Sequence, residues 1–299
     1  RTMIEALRRF FPLPAGNKEP SVPVGERVYA VGDIHGRLDL FEALIDAIER
    51  DDAQGRPLRS TVILLGDLID RGPNSAGVIA RAREWGKARK LHILAGNHEE
   101  MFLESLKRPD VLRHFLRFGG RETLLSYGIQ PRARTKTELA GLQDLMANYI
   151  PAEDLDFIRS FEELVVIGNY AFVHAGILPG VPLKQQQGQD MRWIREPFLS
   201  HEDLHTHVVV HGHTITERAV VRPNRIGIDT GAFNSGRLTA LVLEGAGRRL
   251  IQTKDKKKKG IVTLDKPAEM ETPAEAKAQA EADAKARRQP PGETRIEEE

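Results

Sequence analysis

Five short segments hold the residue types that bind metals and move protons. Asp33 and His35 lie in GDIHG (32–36), and Asp67, Asp70 and Arg71 in GDLIDRG (66–72). Asn97 and His98 lie in GNHE (96–99), His174 in HAG (174–176), and His213 in HGHT (211–214). Carboxylates, imidazoles and an amide oxygen without sulfur suit manganese, iron or zinc better than copper(I). Asp33, His35, Asp67, Asn97, His174 and His213 are too many for one tetrahedral structural ion. They suit two ions that share one carboxylate. Such a pair can hold both the attacking and the departing oxygen of an in-line phosphoryl displacement, and can acidify a water enough to attack near neutral pH. Any one of these aspartates alone would pass for an ordinary turn residue. Their convergence with three histidines and an asparagine argues for a site.

The elements that must position them follow from the apolar pattern. Each cluster comes directly after a short apolar run: 28–31, 61–65, 91–94, 170–173 and 207–211. These read as strands, and ligands in α/β sheets bind at the carboxyl ends of strands. Further strands are expected at 164–167, 219–222, 226–228 and 238–243. Helices are expected at 38–50, with Phe41, Leu44, Ile45 and Ile48 on one face, and from an Asn74 cap to about Trp85. Several helical patterns follow from Glu99 to about Leu155. An early β-α-β-α-β order followed by a mostly β half predicts a mixed α/β (α+β) fold.

Composition excludes several classes. The 299 residues contain no cysteine, which removes disulfides, thiolate zinc sites and cysteine nucleophiles. A formal charge of +1 argues against a globally basic nucleic-acid binder, so no nucleic-acid partner is expected. No apolar run is long enough for an integral membrane segment, no signal peptide is read, and no P-loop pattern is present. A cytoplasmic location is the expectation.

The chain divides into an N-terminal arm (1–24), a catalytic domain (25–251) with a helical cap at about 100–160, and a disordered charged tail (252–299). The arm carries a basic amphipathic stretch at 3–11 followed by four prolines, and reads as a frayed terminus that packs on the domain rather than a lipid anchor. From Gln252 the tail has 11 Lys+Arg against 11 Asp+Glu and few large apolar residues. Its Lys256–Lys259 run reads as a solvated charge cluster.

GDIHG, GDLIDRG, GNHE, HAG and HGHT, in this order, resemble the PPP-type (calcineurin-like) metallophosphoesterases over about residues 27–243. That resemblance implies a central β-sandwich flanked by helices and two divalent ions, with manganese the first choice and iron or zinc the others. It implies that Asp33 and His35 hold the first ion, that Asp67 bridges both, and that Asn97, His174 and His213 hold the second. His98 would be the general acid, oriented by Asp70. Arg71 and Asn97 would contact the phosphate, together with Arg195 of the Trp193-Ile194-Arg195 pattern; Arg192 competes for that last role. Ile215 stands where many relatives in the wider superfamily carry another metal-binding histidine. His211 is expected to be structural or to support the ligands. His201, His205 and His207 read as a surface loop, and His92 and His114 as core-edge or surface residues.

The resemblance leaves the substrate open. The stretch FGGRETLLSYG (118–128) is similar to bacterial PPP-type protein phosphatases. The 39 positions from His174 to His213 are fewer than in the eukaryotic enzymes. The first reading is therefore a bacterial-type serine/threonine, or dual-specificity, protein phosphatase acting on a phosphoprotein or phosphopeptide. In that reading a hydroxide bridging the two ions attacks in line. The alternative is a hydrolase of diadenosine tetraphosphate or another nucleotide polyphosphate. A third reading, a non-catalytic metal-bound scaffold, is weak because Asp70, Arg71 and His98 are all in place.

Overall fold

Valine, isoleucine and leucine runs dominate the strands, and successive side chains turn to opposite faces, into two different cores. The computed structural model describes residues 19–132, 135–254 and 261–264. One sheet comprises β1 (Glu26–Val31), β2 (Arg59–Leu64), β3 (Leu91–Ile93), β9 (Thr239–Glu244), β10 (Gly247–Thr253) and β11 (Ile261–Leu264), in the order β11-β10-β9-β1-β2-β3. The other comprises β4 (Val165–Ile167), β5 (Tyr170–Phe172), β6 (Val208–His211), β7 (Val220–Val221) and β8 (Arg225–Gly227), in the order β4-β5-β6-β8-β7. Strands β1, β2 and β3 run parallel, as do β5, β6 and β8. Each sheet thus brings three carboxyl ends to one edge.

Val28, Ala30, Ile63, Leu241 and Leu243 pack against Phe172, Val208, Val210 and Ile226 to form the core between the sheets. Their alternate neighbours Tyr29, Val31, Val62, Leu64, Ala240 and Val242 face the helices. Burying each large aliphatic side chain contributes roughly 1.5–3 kcal/mol, so a central strand such as β1 must be apolar on both faces. The mixed sandwich flanked by helices agrees with the expected fold class.

Helix α1 (Leu38–Gln54) buries Phe41, Leu44, Ile45 and Ile48, the predicted face. Helix α2 (Ser75–Ala88) is capped by Asn74, whose side chain accepts from Gly77 N at 2.9 Å. The region after β3 folds as α3 (Asn97–Ser105), α4 (Pro109–Phe115), a wide turn at 116–120, α5 (Arg121–Ser126), α6 (Lys136–Tyr149) and α7 (Ala152–Arg159). Phe102, Phe115, Leu124, Met146 and Ile158 of this region share one core with Phe41 and Trp85. The expected cap is therefore continuous with the helical layer on the first sheet. Two short helices, α8 (Gly188–Trp193) and α9 (Ala232–Ser235), complete the fold.

Both expected boundaries move. Val22 is buried and donates its N–H to Gly245 O at 3.0 Å, and Asn169 N donates to Ser21 O at 3.0 Å. Backbone bonds thus tie the last residues of the expected arm to the domain. At the other end, β10 continues through Gln252 and Thr253, whose polar groups are satisfied inside: Gln252 Nε2 donates to Thr239 Oγ1 at 2.8 Å. Residues 261–264 then pair antiparallel with β10, Ile261 opposite Thr253 and Leu264 opposite Leu250. A reading that ended the domain at 251, where large apolar residues thin out, missed this continuation of the sheet. The amphipathic stretch at 3–11, the Lys256–Lys259 run and residues 265–299 lie outside the described residues. Among the described residues no helix is long and apolar enough to cross a membrane.

Candidate metal centre and phosphate site

The site is built from turns at strand ends, and the backbone there is held in conformations that side chains rarely adopt. His35, Asp67, Asp70, Arg71 and His213 have φ between 47° and 72°. They are the only non-glycine residues with positive φ among those described. Left-handed backbone at bulky residues costs free energy and persists where the surroundings over-determine it. Here the surroundings are specific. The buried Glu99 carboxylate accepts from Asp67 N and Gly96 N, each at 2.9 Å, and from Leu68 N at 2.8 Å. Ile34 N and His35 N donate to Asp67 O at 3.1 and 2.9 Å. The first two motif loops are thus stitched together, and Glu99 is the clamp.

Glycines let the loops close around the carboxylates. A Cβ at Gly96 would lie 2.1 Å from Asp67 Oδ1, and one at Gly212 would lie 2.1 Å from Asp33 Oδ1. No side chain fits at either place.

Two groups of side chains converge on Asp67. His35, Asp67 and His98 can share one ion, and Asp67, His174 and His213 another. The tautomers follow from the second ring nitrogen. His174 Nδ1 donates to Leu65 O at 2.8 Å and His35 Nδ1 donates to Ile69 O at 2.8 Å. Each neutral ring therefore presents a bare Nε2 lone pair. His174 Nε2 faces two further acceptors, Asn97 Oδ1 at 3.1 Å and Asp67 Oδ1 at 3.4 Å. His213 Nδ1 lies 2.9 Å from the same Asn97 oxygen. His35 Nε2 lies 3.5 Å from Asp67 Oδ2. Acceptors converging on acceptors in a buried place fit a cation, and the donor set fits a borderline or hard divalent one.

The electrostatics agree. Burial holds His35, His174 and His213 below the usual imidazole range, with the Arg71 charge adding to the effect on His35. Burial would raise Asp67, but the imidazoles of His174, His98, His35 and His213 outweigh it and keep the carboxyl ionised. Asp33 is buried, accepts from His213 N at 3.0 Å, and is pushed up by burial and by the charges of Asp229 and Asp67.

His98 differs from the other rings. Its Nδ1 lies 2.6 Å from Asp70 Oδ2, and its Nε2 lies 2.9 Å from Arg71 Nη2. Burial opposes its charged form, but Asp67 and Asp70 outweigh burial and raise its pKa. Asp70 is fixed in turn by Thr123 Oγ1, which donates to Oδ1 at 2.6 Å, while Asp70 N donates to Ser75 Oγ at 3.0 Å.

Arg71 N donates to Gly119 O at 3.0 Å, its Nη1 lies 2.6 Å from His35 Nε2, and its guanidinium stacks 4.9 Å from the Phe233 ring centre. The two candidate phosphate arginines separate cleanly. Arg192 is paired with Glu163, and with Glu100 at 3.0 Å, and Trp193 Nε1 donates to Glu100. Arg195 instead lies where its charge disfavours protonation of His174 and His213.

Asp33, His35, Asp67, Asp70, Arg71, Asn97, His98, His174 and His213 therefore converge at one edge of the sandwich. Sequence reasoning assigned no role to Glu99, Thr123, Ser75, Phe233 or Asp229. Glu99 and Thr123 sit within GNHE and FGGRETLLSYG, so spacing could have flagged them, but their partners are loop backbone and a buried carboxyl that spacing does not reveal. His211 lies with Nδ1 3.0 Å from Gly212 O and Nε2 3.4 Å from Arg225, packed edge-on to Phe198. That is a supporting position, as expected. His201 and His205 stack on one another and His205 on Phe198, away from the centre.

The profile of the calcineurin-like phosphoesterases matches residues 26–229, the span from β1 to the turn after β8. The chain belongs to this family. A symmetrical bis(5'-nucleosyl)-tetraphosphatase from Nitrosospira multiformis is 30% identical over 160 residues, covering 54% of this phosphoesterase and 47% of that protein. An asymmetrical bis(5'-nucleosyl)-tetraphosphatase from Bacillus velezensis is 27% identical over 244 residues, 70% of this chain and 86% of that one. The aligned part thus spans about half the length of the first of these relatives. Among solved structures, a putative diadenosine tetraphosphatase superposes with a TM-score of 0.53 at 22% identity, over 83% of this chain and 98% of that one. It shares the fold.

Proposed function

We propose that this phosphoesterase hydrolyses a nucleotide polyphosphate, with a dinucleoside tetraphosphate as the model substrate. The observation that carries the catalytic part is the convergence on the one Asp67 carboxylate of the His35 ring on one side and the His174 and His213 rings on the other, with His98 beside it. The substrate class is supported by the two curated relatives, both bis(5'-nucleosyl)-tetraphosphatases. This reverses the ranking from sequence. The protein phosphatase reading rested on motif likeness at 118–128, and the relatives support the nucleotide alternative instead.

In this reading Asp33, His35, Asp67, Asn97, His174 and His213 hold two divalent ions, which supply Lewis acidity at phosphorus and an acidified water. The remaining steps belong to the chain. Arg71 and Arg195 flank the centre and hold phosphate oxygens, for which a planar guanidinium is suited. Asp70 accepts from His98 Nδ1 and so fixes the ring with Nε2 toward the centre. A proton on that Nε2 is placed to pass to the departing oxygen. The Glu99 clamp keeps Asp67 in its left-handed turn while charge shifts during the displacement.

The test compares kcat/KM with manganese supplied, on diadenosine tetraphosphate and on a phosphoserine, phosphothreonine and phosphotyrosine peptide panel. The dinucleotide should lead by at least tenfold. Phosphopeptides leading by the same margin would overturn the substrate assignment and restore the protein phosphatase reading.

A further inference from the structure

The wide turn at 116–120 joins α4 to α5 and closes on the phosphate site. Gly119 O accepts from Arg71 N at 3.0 Å, and a Cβ on Gly119 would lie 2.7 Å from Arg71 Cγ. Gly119 has a φ of 111°, which glycine adopts without strain. Gly120 packs so closely on the Phe115 ring that no Cβ fits there. The two glycines thus make the turn. Phe118 is not needed for it. Its side chain joins none of the buried apolar clusters and is 43% exposed.

A single exposed apolar side chain is ordinary on a protein surface. This one is backed. The His114 ring, one helical turn earlier, lies 4.3 Å from the Phe118 ring at a 40° tilt. The Arg117 guanidinium stands 6.0 Å from the ring centre, at the limit of a cation–ring attraction. The other aromatic side chains near the site are committed. Phe233 packs on the Arg71 guanidinium and on His35, and Trp193 Nε1 donates to Glu100. Phe118 is the exposed ring, one residue from the backbone that touches Arg71.

We propose that Phe118, backed by His114, is the stacking platform for one base of the nucleotide whose phosphate Arg71 holds, and so determines specificity at this site. The inference rests on the nucleotide reading proposed above. A nucleotide carries its base one sugar away from its phosphate, so a ring beside the phosphate arginine is where a base can lie. Stacking needs only a π-face and does not choose among bases. Arg117 adds a planar cation that suits the phosphate chain or the open face of the base.

The test compares ligands that differ in the base. Inhibition constants of adenosine monophosphate, ribose 5-phosphate and phenyl phosphate are measured with manganese supplied. Stacking one base on an aromatic ring is worth about 5- to 150-fold in affinity. Phe118→Ala should weaken adenosine monophosphate about tenfold or more and leave ribose 5-phosphate unchanged. Phe118→Tyr should keep the wild-type affinity, whereas Phe118→Leu, which has apolar bulk but no π-face, should lose it. A readout independent of turnover is the fluorescence of Phe118→Trp. Adenosine monophosphate should quench it beyond the wild-type change, and ribose 5-phosphate should not. If Phe118→Ala keeps the wild-type preference for adenosine monophosphate over ribose 5-phosphate, the platform is overturned and the nucleotide reading stands. A loss confined to phenyl phosphate would assign the ring to a phosphotyrosine side chain and overturn the proposal as well. If the wild type shows no such preference, no base is recognised and the inference falls. Whether the nucleotide reading falls with it is then read from diadenosine tetraphosphate against the phosphopeptides.

Discussion

His98 Nδ1 and Asp70 Oδ2 stand 2.6 Å apart in a fully buried pair, and the second Asp70 oxygen accepts the Thr123 hydroxyl, also at 2.6 Å. Each member fixes the next, so the reactive nitrogen of His98 is held by a chain that reaches helix α5. An acid positioned in this way is worth roughly 10²–10⁴-fold when the leaving group is a poor one. A departing phosphate is a better leaving group, its own last pKa being about 6. His98→Asn should therefore lower kcat on an alkyl phosphomonoester by about 10²–10⁴-fold and on a dinucleoside polyphosphate by less. Manganese content should stay unchanged in both cases. Equal losses on the two substrates would show that His98 does not protonate the departing oxygen.

Glu99 clamps four motif residues through their backbone N–H groups, and a neutral isostere cannot replace it. A glutamine would turn its NH₂ toward donors such as Asp67 N and Gly96 N. Hydrogen bonds to charged groups contribute about 1.5–3 kcal/mol, and unsatisfied buried donors add to the loss. Glu99→Gln should lose about 2 kcal/mol of unfolding free energy in urea. It should also bind manganese more weakly, because the Asp67 turn is no longer fixed. A variant with wild-type stability and metal affinity would assign the clamp to the loop contacts alone.

The strand-then-polar-cluster pattern was legible in the sequence because a parallel strand buried on both faces reads as a short unbroken apolar run. Val28 to Val31 and Thr61 to Leu65 are examples, and the residues directly after such a run lie at the sheet edge. The roles of Glu99 and Thr123 were not legible. Their partners are backbone N–H groups of another loop and a buried carboxyl 53 residues away, and neither leaves a local pattern. Strand β11 was missed for a related reason. Ile261 to Leu264 is a four-residue run in a charged stretch, and it becomes a strand only because the free edge of β10 is there to pair with it.

Arg192 and Arg195 are three residues apart but should behave oppositely. Arg192 pairs with Glu163 and Glu100, so Arg192→Ala leaves two partly buried carboxylates without their partner. It should lower the melting temperature by a few degrees, a loss of about 1 kcal/mol, and leave phosphate affinity nearly unchanged. Arg195→Ala should raise the inhibition constant of inorganic phosphate about tenfold or more, with metal content and melting temperature preserved. If the phosphate effect falls on Arg192 instead, the assignment of the two side chains is reversed.

His211 carries an acid sensitivity that can be isolated from the metal centre. Burial, aided by the Arg225 charge, pushes its pKa down to about 3, against about 6.5 for the unfolded chain. The unfolded state therefore takes the proton first. The stabilisation is fully present above pH 6.5 and is lost as pH falls from 6.5 toward 3, at up to about 1.4 kcal/mol per pH unit from this one group. His211→Gln removes that proton uptake and leaves the neighbouring side chains in place. The difference in unfolding free energy between wild type and variant, measured in metal-free buffer from pH 7.5 to 4, should narrow or change sign in favour of glutamine as pH falls. The other histidines titrate in both proteins and cancel in the difference. Parallel profiles across that range would mean that His211 accepts its proton without unfolding, and that the Phe198 and Arg225 contacts tolerate the charge.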